Sequence, residues 1–210
     1  MSDLQTLRSK LRSELKIDPN GRIWNDTVLN RAINDAVGQI ESDGNYDWHF
    51  NNAENNENTV IGQSGYDLPD NFVRLEADTV LFDSHELYPI DYNFGWKNNY
   101  FSTSGTPSSF AIWANKIYLG KNPDQIKTLK YLYKKKQTAM TADANDSGLP
   151  SEFDLPCVKW AAYLCWGTIE GKENKSISSA QDFQEAMKGL FAQYLGRRDK
   201  NEFSFAIETC

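Results

Sequence analysis

The side chains best spaced for metal chemistry lie in the segment 143–154. Asp143, Asn145 and Ser147 occupy positions 1, 3 and 5 of a calcium-loop pattern, and Gly148 occupies position 6. The pattern is imperfect, because position 8 is a proline, position 12 is an aspartate rather than the bidentate glutamate, and the preceding segment is typical of a strand instead of a helix. We therefore interpret this segment as a polar linker and predict no metal site.

Other reactive side chains are too scattered for catalysis. His49 and His85 are the only histidines and stand in unrelated segments. Cys157 and Cys165 are eight residues apart on a predicted helix, or about 12 Å along its axis, which exceeds the Cα separation of about 7 Å that a disulfide tolerates. We predict that both thiols are buried and unreactive. Without a glycine-rich phosphate motif either, the sequence predicts no enzyme and no cofactor.

Two further groups of residues could bind a partner. Lys134, Lys135 and Lys136 could contact phosphate, but they end a strand pattern in an acidic chain, so we interpret them as a solvated strand end. The second group consists of aromatic residues in and beside the segment 93–109. This segment has no hydrophobic period, and we predict that it is a long, mobile loop. The aromatic side chains of the group could stack on sugars or pack into a core; they are Tyr92, Phe94, Trp96, Tyr100 and Phe101.

Length and charge limit the class of protein. The 210 residues, of which 40% are apolar, suffice for one domain, or for one domain carrying a smaller one. No apolar run reaches the roughly 18 residues of a membrane span, and the N-terminus does not resemble a secretion signal. The net charge of −7 opposes non-specific binding to nucleic acid.

The hydrophobic period identifies the elements that must position these residues. Apolar residues recur every three to four positions, as on a helix, in residues 2–44 and 152–197. Between these segments they recur with a period close to two. We predict an α+β fold, in which two N-terminal and two C-terminal helices form a four-helix bundle from residues 1–50 and 148–198. The bundle carries a β-rich insertion, 51–147, and an extended C-terminal tail, 199–210. Predicted core positions on the helices include Leu11, Ile33, Cys165 and Leu190.

The predicted tail is the candidate docking element. Its sequence alternates apolar and polar residues, so Phe203, Phe205 and Ile207 would lie on one side of an extended segment. Arg197 and Arg198 precede it and could meet acidic groups. Such a segment could fold back on its own domain or bind a groove or sheet edge of another chain.

A series of short motifs carries a family resemblance. Leu68-Pro69-x-x-Phe72 and Leu149-Pro150-x-x-Phe153 share one form, which we interpret as a structural junction in both places. These two motifs belong to an ordered set between the helix pairs that also includes Trp48-x-Phe50, Gly65-Tyr66, Gly105-Thr106-Pro107-x-x-Phe110-Ala111-Ile112, Ile117-Tyr118-Leu119 with Pro123 after it, and Leu129-x-Tyr131. In this order and spacing, the chain resembles the head-to-tail adaptor (connector) proteins of tailed bacteriophages, of the podovirus type.

The resemblance implies a structural role in the virion neck, with assembly in the host cytoplasm. Adaptors of this kind form a ring, typically of twelve copies, under the portal protein. The ring extends the DNA channel without binding DNA specifically and offers a platform to tail nozzle or fibre proteins. The segment with Arg197, Arg198, Phe203, Phe205 and Ile207 would then contact the portal, with no membrane involved. The alternative is a tail or baseplate component with a glycan-binding β module, which the aromatic residues would favour.

Overall fold

The computed structural model describes the backbone of residues 1–16, 23–42 and 48–206, and the side chains of these residues except 77–79 and 193–206. In this part of the chain the fold is α+β, as predicted, with five α-helices and two β-sheets. The helices are α1 (Leu4–Leu15), α2 (Asp26–Ser42), α3 (Tyr92–Lys97), α4 (Asp154–Trp166) and α5 (Glu173–Ala206). The strands are β1 (Asn52–Asn58), β2 (Gly65–Asp67), β3 (Phe72–Phe82), β4 (His85–Glu86), β5 (Tyr88–Pro89), β6 (Ser109–Trp113), β7 (Lys116–Leu119) and β8 (Thr128–Lys135).

The chain divides into two compact units. The helical unit comprises residues 1–50 and 137–210, and the β unit comprises residues 51–136. Residues 137–147, which we had assigned to the insertion, belong to the helical unit. Asn34 on α2 holds this segment, because its amide donates to the Met140 carbonyl (3.0 Å) and its Oδ1 accepts from the Met140 N–H (2.8 Å). The Met140 side chain is buried in the helical core.

The helical unit forms around a continuous apolar core. Helix α1 carries a leucine stripe, Leu4, Leu7, Leu11 and Leu15, which is fully buried because its three- and four-residue steps place every leucine on one face. Asp3 caps α1 by accepting from the Thr6 N–H (2.8 Å). Helix α4 packs against α1, α2 and α5. The main core members are Leu4, Leu7, Leu11, Leu15, Leu29, Ile33, Ile40, Phe153, Ala161, Ala162 and Cys165.

An aromatic cluster closes this core beside the start of α4. Trp48 lies edge-on to Phe153, with ring centroids 5.0 Å apart, and stacks on Phe191 at 5.2 Å. Phe50 also contacts Phe153, at 5.1 Å. Phe153 ends the second Leu-Pro-x-x-Phe motif and is fully buried. The motif therefore delivers an aromatic anchor to the core just before the helix begins.

The two Leu-Pro-x-x-Phe motifs form the same turn. In each motif the phenylalanine N–H donates to the proline carbonyl, at 2.8 Å for Phe72 and 2.9 Å for Phe153. The first turn leads into β3 and the second into α4. The prediction that both motifs are structural junctions is confirmed.

The β unit contains two four-stranded sheets, ordered β1-β8-β3-β4 and β2-β7-β6-β5. All neighbouring strands are antiparallel except β5 and β6. Strands β6 and β7 form a hairpin, in which Trp113 pairs with Lys116 across a two-residue turn. Both turn residues, Ala114 and Asn115, have positive φ (48° and 60°), as a type I′ turn requires.

Three further predictions differ from the structure. The segment 93–109 is not a structureless loop, because it contains most of α3 and a 3₁₀ turn over Tyr100–Ser102. Leu190 is only partly buried at the edge of the helical core. Helix α5 continues to Ala206, so the extended conformation predicted for the tail is wrong as far as this residue. Adding a residue to an existing helix costs little, and Gly196 is the residue of this stretch with the lowest helix propensity.

Candidate partner-binding surface

The aromatic residues singled out in the sequence lie on a rigid loop of the β unit. Asp91 caps α3 by accepting from the Phe94 N–H (2.9 Å), and the Asn98 amide donates to the Phe94 carbonyl (2.8 Å). Gly95 faces the Phe101 ring so closely that a Cβ would lie 2.5 Å from it. The short helix and the 3₁₀ turn are thus fixed against each other by hydrogen bonds and close packing.

Three rings form a continuous stack beside this loop. Tyr92 lies between Trp113 and Phe101, with both centroid distances at 5.2 Å and interplanar angles of 8° and 17°. Tyr118 contacts Tyr92 at 4.9 Å. Tyr92 covers one face of Trp113, whose side chain is still 52% exposed. The stack therefore ends in an indole that is open to solvent.

A pocket of about 320 Å³ lies next to the stack. It is lined by Trp96, Lys97, Asn99, Phe101 and Ser102. Trp96 is 66% exposed and Phe94 is 52% exposed. Tyr100, which contacts Phe94 edge-on at 5.8 Å, is also exposed. We call Phe94, Trp96, Tyr100 and Trp113, together with this pocket, the aromatic surface.

Only part of this surface is recognisable in the sequence. The loop residues Tyr92, Phe94, Trp96, Tyr100 and Phe101 were recognised as aromatic side chains that could stack or pack, but Trp113 was not among them. The pairing of Trp113 with Lys116 places the indole at the end of the hairpin. A tryptophan beside a two-residue turn was the signal that could have indicated an exposed position.

The calcium-like segment is occupied by contacts within the protein. Asp143 binds the Arg8 guanidinium (2.9 Å), and Asn145 Oδ1 accepts from the N–H groups of Thr141 and Ala142. Asp154 binds the Lys10 amine (2.6 Å). Two backbone bonds, from the Leu4 N–H to the Asn145 carbonyl and from the Ser147 N–H to the Ser2 carbonyl, attach the loop to the start of α1. The segment is a structural linker.

The lysine run is a solvated strand end only in part: Lys136 is exposed and Lys135 is half-buried, but the prediction is wrong for Lys134. Lys134 is buried, and its amine contacts Asn52 Oδ1 and, at 3.3 Å, Glu76 Oε2. Its partners lie on β1 and β3, on either side of β8. Sequence could not show this, because the lysine is far from both partners along the chain.

The two helical thiols are free and buried, as predicted. Burial raises the pKa of the Cys157 thiol to about 12, with a further contribution from Asp154, and raises that of Cys165 to about 11. The thiolate is the reactive form of cysteine. Both side chains therefore behave as core residues at neutral pH.

The candidate docking residues are described only in part. Arg197, Arg198, Phe203 and Phe205 belong to α5, but their side chains lie outside the described part of the chain, and Ile207 lies outside it altogether. The apolar stripe that we expected depended on a period of two, which a helix does not have.

The described residues lack the features of a metal site and of a membrane span. Within them, no three histidine, cysteine or acidic side chains lie close enough to share a metal ion. None of their helices is long and apolar enough to span a bilayer.

An α+β chain with a discontinuous helical unit, an inserted β unit and an exposed, rigid aromatic surface has the features of a protein that acts by contacting other proteins. The family model of the SU10 adaptor protein matches residues 2–204. The chain belongs to this family of phage adaptors and is a structural component of the virion. A comparison with curated proteins gives no match.

Proposed function

We propose that this protein is a head-to-tail adaptor of the podovirus type, which assembles as a ring under the portal protein. The ring, expected to contain twelve copies, extends the DNA channel and provides the platform for tail nozzle or fibre proteins. Helices α1, α2, α4 and α5 act as a four-helix bundle in this proposal. The observation that carries it is the adaptor family match over residues 2–204.

The charge of the chain suits a conduit for DNA. The net charge is −7, and an acidic wall does not hold the phosphate backbone. Within the chain, the helical unit has nineteen acidic and thirteen basic residues, whereas the β unit has ten and nine. Like-charged subunits also repel one another, so we expect the isolated chain to be monomeric at ordinary concentrations and to assemble on the portal ring.

The C-terminal segment, residues 199–210, is the proposed portal-docking element. Its proposed contact residues are Phe203, Phe205 and Ile207, together with Arg197 and Arg198 just before it. Because α5 continues to Ala206, we expect a helical segment to dock, rather than an added strand. The two arginines would add little if they lie at the rim of the contact.

Mixing the chain with its cognate portal ring tests the assembly. Mass photometry should show one complex heavier than the portal by about twelve chains, and the chain alone should remain monomeric. A variant that ends at residue 199 should keep its melting temperature and fail to bind. If the full chain forms no complex while both partners are folded, the adaptor function is wrong. If the truncated chain binds normally, the docking element lies elsewhere.

The alternative function, a tail or baseplate component with a glycan-binding β module, rests on the aromatic surface alone. The pocket of about 320 Å³, with an indole beside amide, amine and hydroxyl groups, is compatible with a sugar ring. The adaptor family match, which covers both units, favours the first proposal. Binding of the purified chain to host cells or their polysaccharides would favour the second.

A further inference from the structure

The aromatic surface is larger than a single small ligand needs. Aromatic side chains have about 150–250 Å² of accessible area each, so the exposed fractions of Phe94, Trp96, Tyr100 and Trp113 amount to about 400 Å². A standard protein interface buries about 800 Å² on each partner, of which a little over half is apolar. The surface thus matches the apolar share of one protein interface, whereas a sugar stacked on Trp96 would leave the other rings in water.

The rings are held in place before any partner arrives. The loop is fixed by three contacts: capping of α3 by Asp91, the hydrogen bond from the Asn98 side-chain amide, and the close contact of Gly95 with Phe101. The Thr103 hydroxyl adds a bond to the Asn99 carbonyl (2.9 Å). A rigid loop loses little conformational entropy on binding. It also cannot withdraw Phe94 and Trp96 from water, so only a partner can cover them.

The charge of the pocket indicates which partner fits. Among the described residues that line the pocket, Lys97 is the one that carries a charge. Lys97 is absent from the ion pairs found among the described residues. The complementary partner is therefore acidic, with apolar side chains among its carboxylates. The helical unit of this same protein is the more acidic of the two units by sequence, with six more acidic than basic residues, and it exposes the apolar side chains of Leu155 and Ile177.

We propose that the aromatic surface of one copy docks on the helical unit of a second copy. The two contact surfaces differ, so the interface is heterologous, and a heterologous interface passes from copy to copy as a ring requires. This inference rests on the proposed ring, and it identifies the β-unit surface that joins its neighbours.

Site-specific photo-cross-linking tests the contact directly. Trp96→benzoylphenylalanine is compared with Ile126→benzoylphenylalanine, a matched control at an equally exposed position of the β unit (65% exposed). Each purified variant is irradiated alone at high concentration and together with the cognate portal ring. The position 96 variant should yield covalent dimers whose cross-linked peptide comes from the helical unit, with at least a tenfold higher yield than the control.

Two further substitutions, made in the variant that carries benzoylphenylalanine at position 96, test the aromatic contact and the charge. Phe94→Ala should lower the dimer yield about tenfold, as loss of a buried interface aromatic does, and Lys97→Glu should lower it through repulsion of the acidic partner. Circular dichroism verifies that each variant is folded. Three outcomes would each overturn the inference. They are equal yields at positions 96 and 126, cross-links to the portal alone, and loss of the product on addition of host polysaccharide. Failure of the wild-type chain to bind the portal would instead refute the ring, while dimers formed without the portal would still support this contact.

Discussion

Replacement of Phe153 by alanine should destabilise the helical unit by about 3–5 kcal/mol, the range for a fully buried phenylalanine. The side chain is inaccessible to solvent and contacts two aromatic rings, Trp48 at 5.0 Å and Phe50 at 5.1 Å. Such ring pairs add about 0.5–1.5 kcal/mol each beyond the buried area. We therefore expect a value in the upper part of the range.

Phe72 provides a matched control, because it ends the same motif and forms the same turn but is only partly buried. Phe72→Ala should cost about 1–2 kcal/mol, since it removes one stacked contact, with Tyr133 at 5.6 Å, and little buried volume. Hydrogen exchange with mass spectrometry gives the opening free energy of each unit separately. Equal losses for the two variants would mean that the turn, and not burial, determines the effect. A loss below about 1 kcal/mol for Phe153→Ala would refute the core assignment.

Three more predictions follow from burial and backbone geometry. Leu190→Ala should lose about 1–2 kcal/mol by chemical unfolding, because the side chain is only partly buried; a loss of about 4 kcal/mol would show that it is fully enclosed. Ala114→Gly should raise the stability of the β unit by about 0.5 kcal/mol, because it relieves positive φ at a cost in chain entropy, and a lower melting temperature would contradict the turn geometry. Cys157 and Cys165 should resist a thiol reagent at pH 8 until urea is added. Rapid labelling of the folded chain would show that the thiols are accessible. Because burial raises the pKa of both thiols, the stability that the two buried neutral thiols contribute is present below about pH 9 and is lost as pH rises through about 11–12.

The sequence predicted the long helices better than the short elements. Four leucines on α1 repeat often enough for the helical period to be recognised, and all four are buried. Helix α3 has only six residues, fewer than two turns, so no period could develop, and the segment looked like a loop. The last turns of α5 were missed for the opposite reason. Alternation from Phe203 onward is typical of a strand, but a long preceding helix continues through it.

The residue types of the candidate surface could be predicted from the sequence, but the exposure of each side chain could not. The sequence showed the aromatic residues of the loop, yet it left open whether they pack into a core or face solvent. The structure shows both outcomes: Tyr92 lies inside a stack, and Trp96 is exposed. Lys134 was missed because its buried charge depends on neighbouring strands that only the folded sheet brings together.

The insertion of the β unit between the two parts of the helical unit determines the order in which the protein can fold during synthesis. The β unit is complete once residue 136 has left the ribosome, whereas α1 and α2 must wait for α4 and α5 before their apolar faces are covered. Until then the leucine stripe of α1 is an aggregation hazard in the nascent chain. A stalled or truncated product that lacks α4 should therefore need a chaperone, although its β unit would already be native.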